Sequence, residues 1–166
     1  NGMIEYKDYL KIYPDNYSLP NIYALIKIHK PGNPARLICP YFSHPLSNLS
    51  KFINKIISPS IKFSPYATYG SSHFVNDIKN MTLGRNDMMF SLDIVNLFTN
   101  IPLDLTLTIV HEKLLNDVTL ASRTDLPIEE IMFLIKFIMD NNYFSFDNKI
   151  FKQKSGAPMG CNISPI

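Results

Sequence analysis

The segment 90–102, Phe-Ser-Leu-Asp-Ile-Val-Asn-Leu-Phe-Thr-Asn-Ile-Pro, constrains this 166-residue chain more than any other part of it. The apolar run 88–94 has the composition of a buried strand and carries one charged side chain, Asp93. Asn96 and Pro102 then break the predicted strand. Because a carboxylate in an apolar interior is costly unless it is paired, protonated or bound to metal, Asp93 is a candidate metal ligand.

The residues after Asp93 distinguish several kinds of site. A phosphatase-type aspartate nucleophile would have a second Asp two residues on, where this chain has Val95. A two-metal nucleotidyl-transfer site has an Asp at a strand end, then backbone amides that can hold a triphosphate, then a bulky side chain. Asn96 and Phe98 meet the last two requirements. Asp93 would then bridge two Mg²⁺ ions, with the Ile94 carbonyl as a further ligand. The alternative is that Asp93 only caps the following turn.

Charge is unevenly distributed, although the net charge is only +2. Residues 16–76 contain no Asp or Glu. The cations of that stretch are Lys27, Lys30, Arg36, Lys51, Lys55 and Lys62. A segment of one sign and of this length is typical of a surface that binds a polyanion; the alternative is a solvated basic face.

A β-hairpin is predicted where this basic segment begins. Alternating apolar residues predict strands over 22–30 and 35–39, and the Pro-Gly-Asn-Pro sequence between them is a strong turn signal. Lys27, Lys30 and Arg36 would lie at or near its tip, where they could close onto a triphosphate. An exposed hairpin with solubilising charges is the alternative.

A glycine-containing loop is predicted near the end of the chain. Its sequence is Gln153-Lys-Ser-Gly156-Ala-Pro158-Met-Gly160. Glycines four residues apart leave the backbone open to close approach by a base pair and a template strand. Taken alone, such a loop is common in proteins of many functions.

Apolar periodicity predicts helices over 3–13, 44–57, 72–81, 103–116 and 128–140, and a second hairpin over 143–146 and 149–152. Pro59 and Pro65 are expected to end the second helix, and the last helix should be deeply buried because it is apolar around most of its circumference. Strands and helices without strict alternation predict an α+β fold, with helices packed on one face of a mostly antiparallel sheet. No apolar run reaches the roughly 18–20 residues that span a membrane.

Together and in this order, these segments resemble a reverse transcriptase. The resemblance is carried by the hairpin Leu-Ile-Lys-Ile-His-Lys-Pro-Gly-Asn-Pro-Ala-Arg-Leu-Ile at 25–38, the segment 91–102, and the loop Lys-Gln-Lys-Ser-Gly-Ala-Pro-Met-Gly at 152–160. The chain is most similar to the Penelope-like retroelements, which are related to telomerase. The segment Tyr-Phe-Ser-Phe-Asp-Asn-Lys-Ile-Phe at 143–151 also looks like that subgroup.

The resemblance implies an N-terminal extension over 1–20, polymerase fingers over 21–86 and a partial palm over 87–166. It implies a fragment of an RNA-directed DNA polymerase that adds dNTPs to a primer on an RNA or DNA template, with two Mg²⁺ ions as cofactors. It also implies an intracellular, nuclear location and no membrane partner.

Roles follow from the same resemblance, position by position. Asp93 is similar to the first catalytic aspartate, and Phe98 to the steric gate that excludes a ribose 2′-hydroxyl. Lys27 and Arg36 resemble the finger residues that contact triphosphate and template, and Lys30 is a looser match.

The glycine loop corresponds to the part of the family that holds template and incoming nucleotide, which implies that role for Gln153, Gly156, Pro158 and Gly160. The pattern departs from the family at Cys161-Asn162, where the family has Ser-Pro.

The family's paired aspartates, Tyr/Phe-x-Asp-Asp, follow the glycine loop, and these 166 residues contain no Asp-Asp pair. We therefore expect the isolated chain to be inactive.

Two other function classes stay open. One is a non-catalytic, nucleic-acid-binding remnant of a polymerase, which would bind RNA or a template–primer in a salt-dependent way. The other is a cyclase-like or different palm-fold nucleotidyl enzyme, against which the basic hairpin argues. A Tyr/Phe-x-Asp-Asp downstream in the reading frame would favour the active polymerase over the remnant.

Overall fold

The computed structural model describes residues 4–14, 16–61, 68 and 70–166. In this part of the chain the fold is mixed α+β, with six α-helices and two small antiparallel sheets. The helices are α1 (Tyr6–Ile12), α2 (Ser47–Ile61), α3 (Ser71–Ile78), α4 (Leu97–Asn100), α5 (Leu103–Leu115) and α6 (Ile128–Asp140). The strands are β1 (Tyr23–Ile26), β2 (Ala35–Ile38), β3 (Tyr143–Phe146) and β4 (Lys149–Lys152), and 3₁₀ turns cover Tyr41–Ser43 and Leu120–Ser122.

The chain divides into two compact units. One unit comprises Asn1–Lys62 and Asn96–Ile166, and the other comprises Phe63–Val95. All four strands and five of the six described helices belong to the first unit, which also contains the core. The division into an N-terminal extension (1–20), fingers (21–86) and a partial palm (87–166) stays a prediction.

The core of the first unit is made by α2, α5 and α6 packing on one another. Ile53, Leu114, Ile131 and Ile138 are almost completely buried there. Helix α6 is not buried all round as predicted, because Phe133 on another face is 61% exposed. Its neighbours α2 and α5 cover only the isoleucine face, so apolar composition around the circumference overstated the burial.

Helix α2 continues past Pro59 to Ile61, where the sequence predicted an end. Pro59 has no N–H to donate to the Lys55 carbonyl, and only two further residues follow it in the helix. Pro65 lies outside the described residues. With 15 residues α2 is the longest described helix, and none of the described helices is long and apolar enough to cross a membrane.

Both predicted hairpins are confirmed. Strands β1 and β2 pair antiparallel through a turn in which Gly32 and Asn33 have positive φ, although β1 is shorter than predicted. Strands β3 and β4 occupy the predicted residues, and both residues of their turn, Asp147 and Asn148, have positive φ (49° and 56°). Positive φ at both central positions is the requirement of a type I′ hairpin turn.

The described residues contain two separate two-stranded sheets, so the prediction of helices on one face of a single sheet is wrong for this part of the chain. The predicted strand over 88–94 is also wrong. This segment has no regular structure, and its apolar side chains are exposed, with Leu92 at 88%. A strand requires a partner for its N–H and C=O groups, and none of the described strands pairs with this segment.

Candidate nucleotide and template site

The glycine loop packs against the short helix α4, which carries Phe98 and which we call the Phe98 turn. The Ala157 N–H donates a hydrogen bond to the Phe98 carbonyl oxygen (2.7 Å). Gly156 is buried with φ +73°, and a Cβ at this position would collide with the backbone of Phe98 and Thr99. Only glycine permits this approach, so the loop and the Phe98 turn form one structural piece.

The same loop packs against the end of the basic hairpin. The Cys39 N–H, directly after β2, donates to the Met159 carbonyl oxygen (3.1 Å). Gly160 has φ +127°, and a Cβ there would collide with the Cys39 carbonyl. The first unit therefore joins the hairpin, the Phe98 turn and the glycine loop, which are far apart in the sequence.

The start of the loop is held by Asn142, a residue for which the sequence predicted no role. The Asn142 side chain donates to Gln153 Oε1 (2.6 Å), and the Gln153 N–H donates to the Asn142 carbonyl (3.0 Å). Gln153 Nε2 in turn donates to the Ser155 carbonyl (2.8 Å). Gln153 lies in the loop and its side chain bonds to Asn142 and Ser155, while its contact with template or nucleotide stays a prediction. The sequence offered one signal for this role of Asn142: it is a polar residue between the end of a predicted helix and the start of a predicted strand.

The two residues that depart from the family pattern have packing roles. Asn162 donates to Ser50 Oγ (2.7 Å) and accepts from Asn54 Nδ2 at its carbonyl (2.9 Å), which ties the loop to α2. Cys161 is buried, and burial raises the pKa of its thiol. Pro158 is buried as well, so the interior side of the loop is fixed by the core.

The predicted triphosphate cations lie on and beside the turn of the β1–β2 hairpin. Lys27 follows β1 and is half-buried, and its N–H donates to the Pro34 carbonyl (3.0 Å). Lys30 in the turn and Arg36 in β2 are exposed. Three cations and no Asp or Glu make this short hairpin locally positive, and such a charge attracts phosphate groups.

Asn96 is the N-cap of the short helix α4 and has a left-handed conformation (φ 52°). Its carbonyl accepts hydrogen bonds from the Thr99 N–H (3.1 Å) and hydroxyl (3.0 Å). The alternative that Asp93 caps the turn that follows it stays a prediction. Phe98 in α4 is half-buried, with its backbone on the glycine loop.

Asp93 and Ile94 belong to the other unit. Both are exposed to solvent, so Asp93 is not the costly buried acid that the sequence predicted. Among the residues that the structure describes, no three His, Cys, Asp or Glu side chains lie close enough to hold a metal ion. Asp93 therefore supplies a single carboxylate, and Mg²⁺ would need further ligands to bind there firmly.

A cavity of about 470 Å³ lies beside the glycine loop. Lys152, Lys154 and Gly156 line it on one side, and Leu103 and Asp140 contribute to the rest. No role was predicted from the sequence for these two lysines. The sequence Lys152-Gln153-Lys154 was the one pattern that could have indicated a positively charged side of this loop.

No family model, curated protein or solved structure matches this chain. Support for a function therefore comes from the residues, their geometry and the resemblance of the sequence motifs.

Proposed function

We propose that this chain is a fingers and partial-palm segment of a reverse transcriptase, an RNA-directed DNA polymerase of the Penelope-like kind. One observation carries the proposal. The glycine loop packs on the Phe98 turn and on the end of the basic hairpin, so parts of all three segments that motivated the resemblance are neighbours in one unit, whereas Asp93 belongs to the other.

The chemistry of the joined segments suits nucleotide positioning. Arg36 can bind a phosphate with two parallel hydrogen bonds, and Lys27 and Lys30 add mobile point charges. Phe98 would lie against the sugar of the incoming nucleotide and favour dNTPs over ribonucleotides. Gly156 and Gly160 let the loop lie directly on the backbones of Phe98, Thr99 and Cys39, which would fix the loop beside the path of template and base pair.

Metal chemistry needs more than the described residues supply. Asp93 is one carboxylate, whereas a two-ion site requires several oxygen ligands. We therefore assign to this chain the positioning of nucleotide and template. Mg²⁺ would be bound by Asp93 only together with further carboxylates.

Primer extension tests the proposal. We expect no dNTP incorporation by the 166-residue chain. In a longer polypeptide that carries these residues with a Tyr/Phe-x-Asp-Asp, Asp93→Asn should abolish extension and Phe98→Ala should admit ribonucleotides. Unchanged sugar selection in Phe98→Ala would overturn the gate assignment, and clear incorporation by the isolated chain would overturn its inactivity.

A matched pair of lysine variants separates specific positioning from general attraction. Lys27 lies beside the hairpin turn, whereas Lys51 lies exposed on α2 within the same acid-free stretch. Lys27→Ala should weaken dNTP binding in the active polypeptide, seen as a raised KM for dNTP, and Lys51→Ala should not. Equal effects of both variants would favour the nucleic-acid-binding remnant.

A further inference from the structure

The β3–β4 hairpin has a face that the proposed polymerase function does not use. The strand register places Phe144 opposite Phe151 and Phe146 opposite Lys149. Because paired residues of an antiparallel ladder point to the same side, these four side chains share one face. We call the three phenylalanines of this face, Phe144, Phe146 and Phe151, the aromatic platform.

Two rings of the aromatic platform, those of Phe146 and Phe151, are exposed, and Phe144 is half-buried. The rings of Phe144 and Phe151 stack with centroids 5.9 Å apart and planes inclined by 19°. Phe146 is 58% exposed and Phe151 is 42% exposed. Parallel ring planes that remain accessible to solvent offer surfaces on which planar groups can stack.

The charge around the aromatic platform is positive. Lys149, Lys152 and Lys154 are exposed, and Asp147 at the turn is the only acid between 143 and 154. Lys149 shares the face of the aromatic platform, whereas the register places Lys152 on the opposite face, where its ammonium lies 5.6 Å from the centre of the Tyr143 ring. A ligand with planar rings and regularly spaced negative charges complements this surface.

The hairpin is fixed to the rest of its unit along one edge. The Ile22 N–H donates to the Ser145 carbonyl (3.0 Å), and the Ser145 N–H donates to the Pro20 carbonyl (2.9 Å). The aromatic platform is therefore presented by a supported hairpin. At the end of β4, Lys152 and Lys154 lead into the cavity beside Gly156.

From this geometry we propose that the aromatic platform binds single-stranded nucleic acid, with bases stacked on the phenylalanines and phosphates paired with Lys149 and Lys154. Aromatic side chains next to a basic path bind single strands of any sequence, because every base has a stacking face. The surface is separate from the basic β1–β2 hairpin, and its binding requires no primer, nucleotide or metal.

The test is fluorescence anisotropy of the 166-residue chain with labelled single strands of about 12 nucleotides, one of uridine and one of thymidine. Phe146→Ala should weaken binding by about tenfold, which corresponds to losing one stacked base. Phe133→Ala is the control, because Phe133 is 61% exposed and stacks on Phe137 but lies on α6, whose first turn is acidic. It should leave affinity unchanged.

Two further arms complete the experiment. Affinity should fall steeply between about 50 and about 200 mM salt, and Lys149→Ala should reduce that dependence. A duplex of the same length should not respond to Phe146→Ala, since its bases are already stacked. Similar affinity for both single strands fits stacking, whereas a tenfold preference for uridine would add recognition of the 2′-hydroxyl.

Equal affinity of wild type and Phe146→Ala for single strands would overturn the proposal. So would sedimentation data in which the wild type dimerises and Phe146→Ala does not, because the aromatic platform would then be a surface for a second copy. Since the assay contains no primer, dNTP or Mg²⁺, a negative result here leaves the proposed polymerase function standing.

Discussion

Gly156 and Gly160 determine how closely the loop approaches the segments around it. Both have positive φ, and in both cases the neighbouring backbone occupies the place of a Cβ. Gly32 has nearly the same φ as Gly156 (+76° against +73°), but a Cβ at Gly32 would have no other atom within 4 Å. A comparison of Gly32 with Gly156 therefore separates the effect of backbone strain from the effect of close packing.

We predict that Gly156→Ala lowers the free energy of unfolding by more than Gly32→Ala does. Backbone strain of about 1–3 kcal/mol is common to both variants, and the collision with Phe98 and Thr99 is added only at Gly156. Urea denaturation of the two variants gives the difference directly. Equal losses would mean that the loop does not sit on the Phe98 turn.

His44 is a buried histidine stacked on Tyr41, with ring centroids 4.4 Å apart. Its Nδ1 accepts the Leu46 N–H (3.0 Å). Burial lowers the pKa of His44 from 6.5 to about 4, and the Tyr143 backbone offsets only part of this effect. The unfolded chain therefore binds a proton at a higher pH than the folded chain does.

This His44 pKa predicts a pH-dependent loss of stability. The stability contribution is complete above about pH 6.5 and is lost as the pH falls toward about 4, up to a total on the order of 3 kcal/mol. His44→Asn, which keeps an acceptor for Leu46, should flatten the stability profile in this range. His29→Ala, at an exposed histidine in the turn of the β1–β2 hairpin, is the control for removing a histidine outside the core. A wild-type profile that is already flat would contradict the assignment.

At the scale of elements, one polar cluster ties α2 to the 3₁₀ turn Leu120–Ser122. Arg123 pairs with Asp117 (2.5 Å) and donates to Ser60 Oγ (2.9 Å) and to the Ile56 carbonyl (3.1 Å). The Ser60 hydroxyl, followed by Arg123, lowers the pKa of Asp117. The two charged side chains are only 18% and 11% exposed.

We expect Arg123→Ala to lower Tm clearly, because it leaves the Asp117 charge and the Ile56 carbonyl without this partner. Lys136→Ala breaks an exposed ion pair with Asp140 within one helix turn and should have little effect. Differential scanning calorimetry compares the two. The depressed pKa of Asp117 also means that its contribution is present at neutral pH and disappears in acid. Similar Tm values for both variants would contradict this role.

Local sequence patterns predicted correctly those elements that are determined by residues close together in the sequence. The Asp147-Asn148 turn and the periodicity of α6 indicated their elements almost to the residue, because turn chemistry and helical amphipathicity act over a few positions. The strand over 88–94 failed because pairing depends on a partner elsewhere, which composition does not reveal. The burial of Phe133 was overestimated for the same reason.

At the scale of the whole molecule, the segment 81–95 differs from the rest. It lacks regular structure and exposes large apolar side chains, among them Met88 and Leu92. Such a segment should open to protease far more readily than a packed helix does. We predict that trypsin cleaves after Arg85 well before it cleaves after Lys113 in α5, as followed by mass spectrometry. Equal rates would show that 81–95 is protected.

The candidate site could be predicted from the sequence only in part. The motifs named Lys27, Phe98 and Gly156, and the resemblance gave them an order, but no pattern indicated that the loop would bond to Phe98 and Cys39. Such contacts depend on long-range packing. Asp93 was selected for a buried strand that the structure does not contain, so its proposed role now rests on the resemblance alone.

Hydrogen exchange with a template–primer and a dNTP is the decisive measurement of whether three distant segments form one nucleotide and template site. We predict simultaneous slowing of amide exchange in 27–36, 96–100 and 153–160, and no change in the exposed end of α3. Arg36→Ala should remove the dNTP-dependent part of this protection in all three segments. Protection confined to one segment, or none at all in the wild type, would show that the three segments do not act as one site.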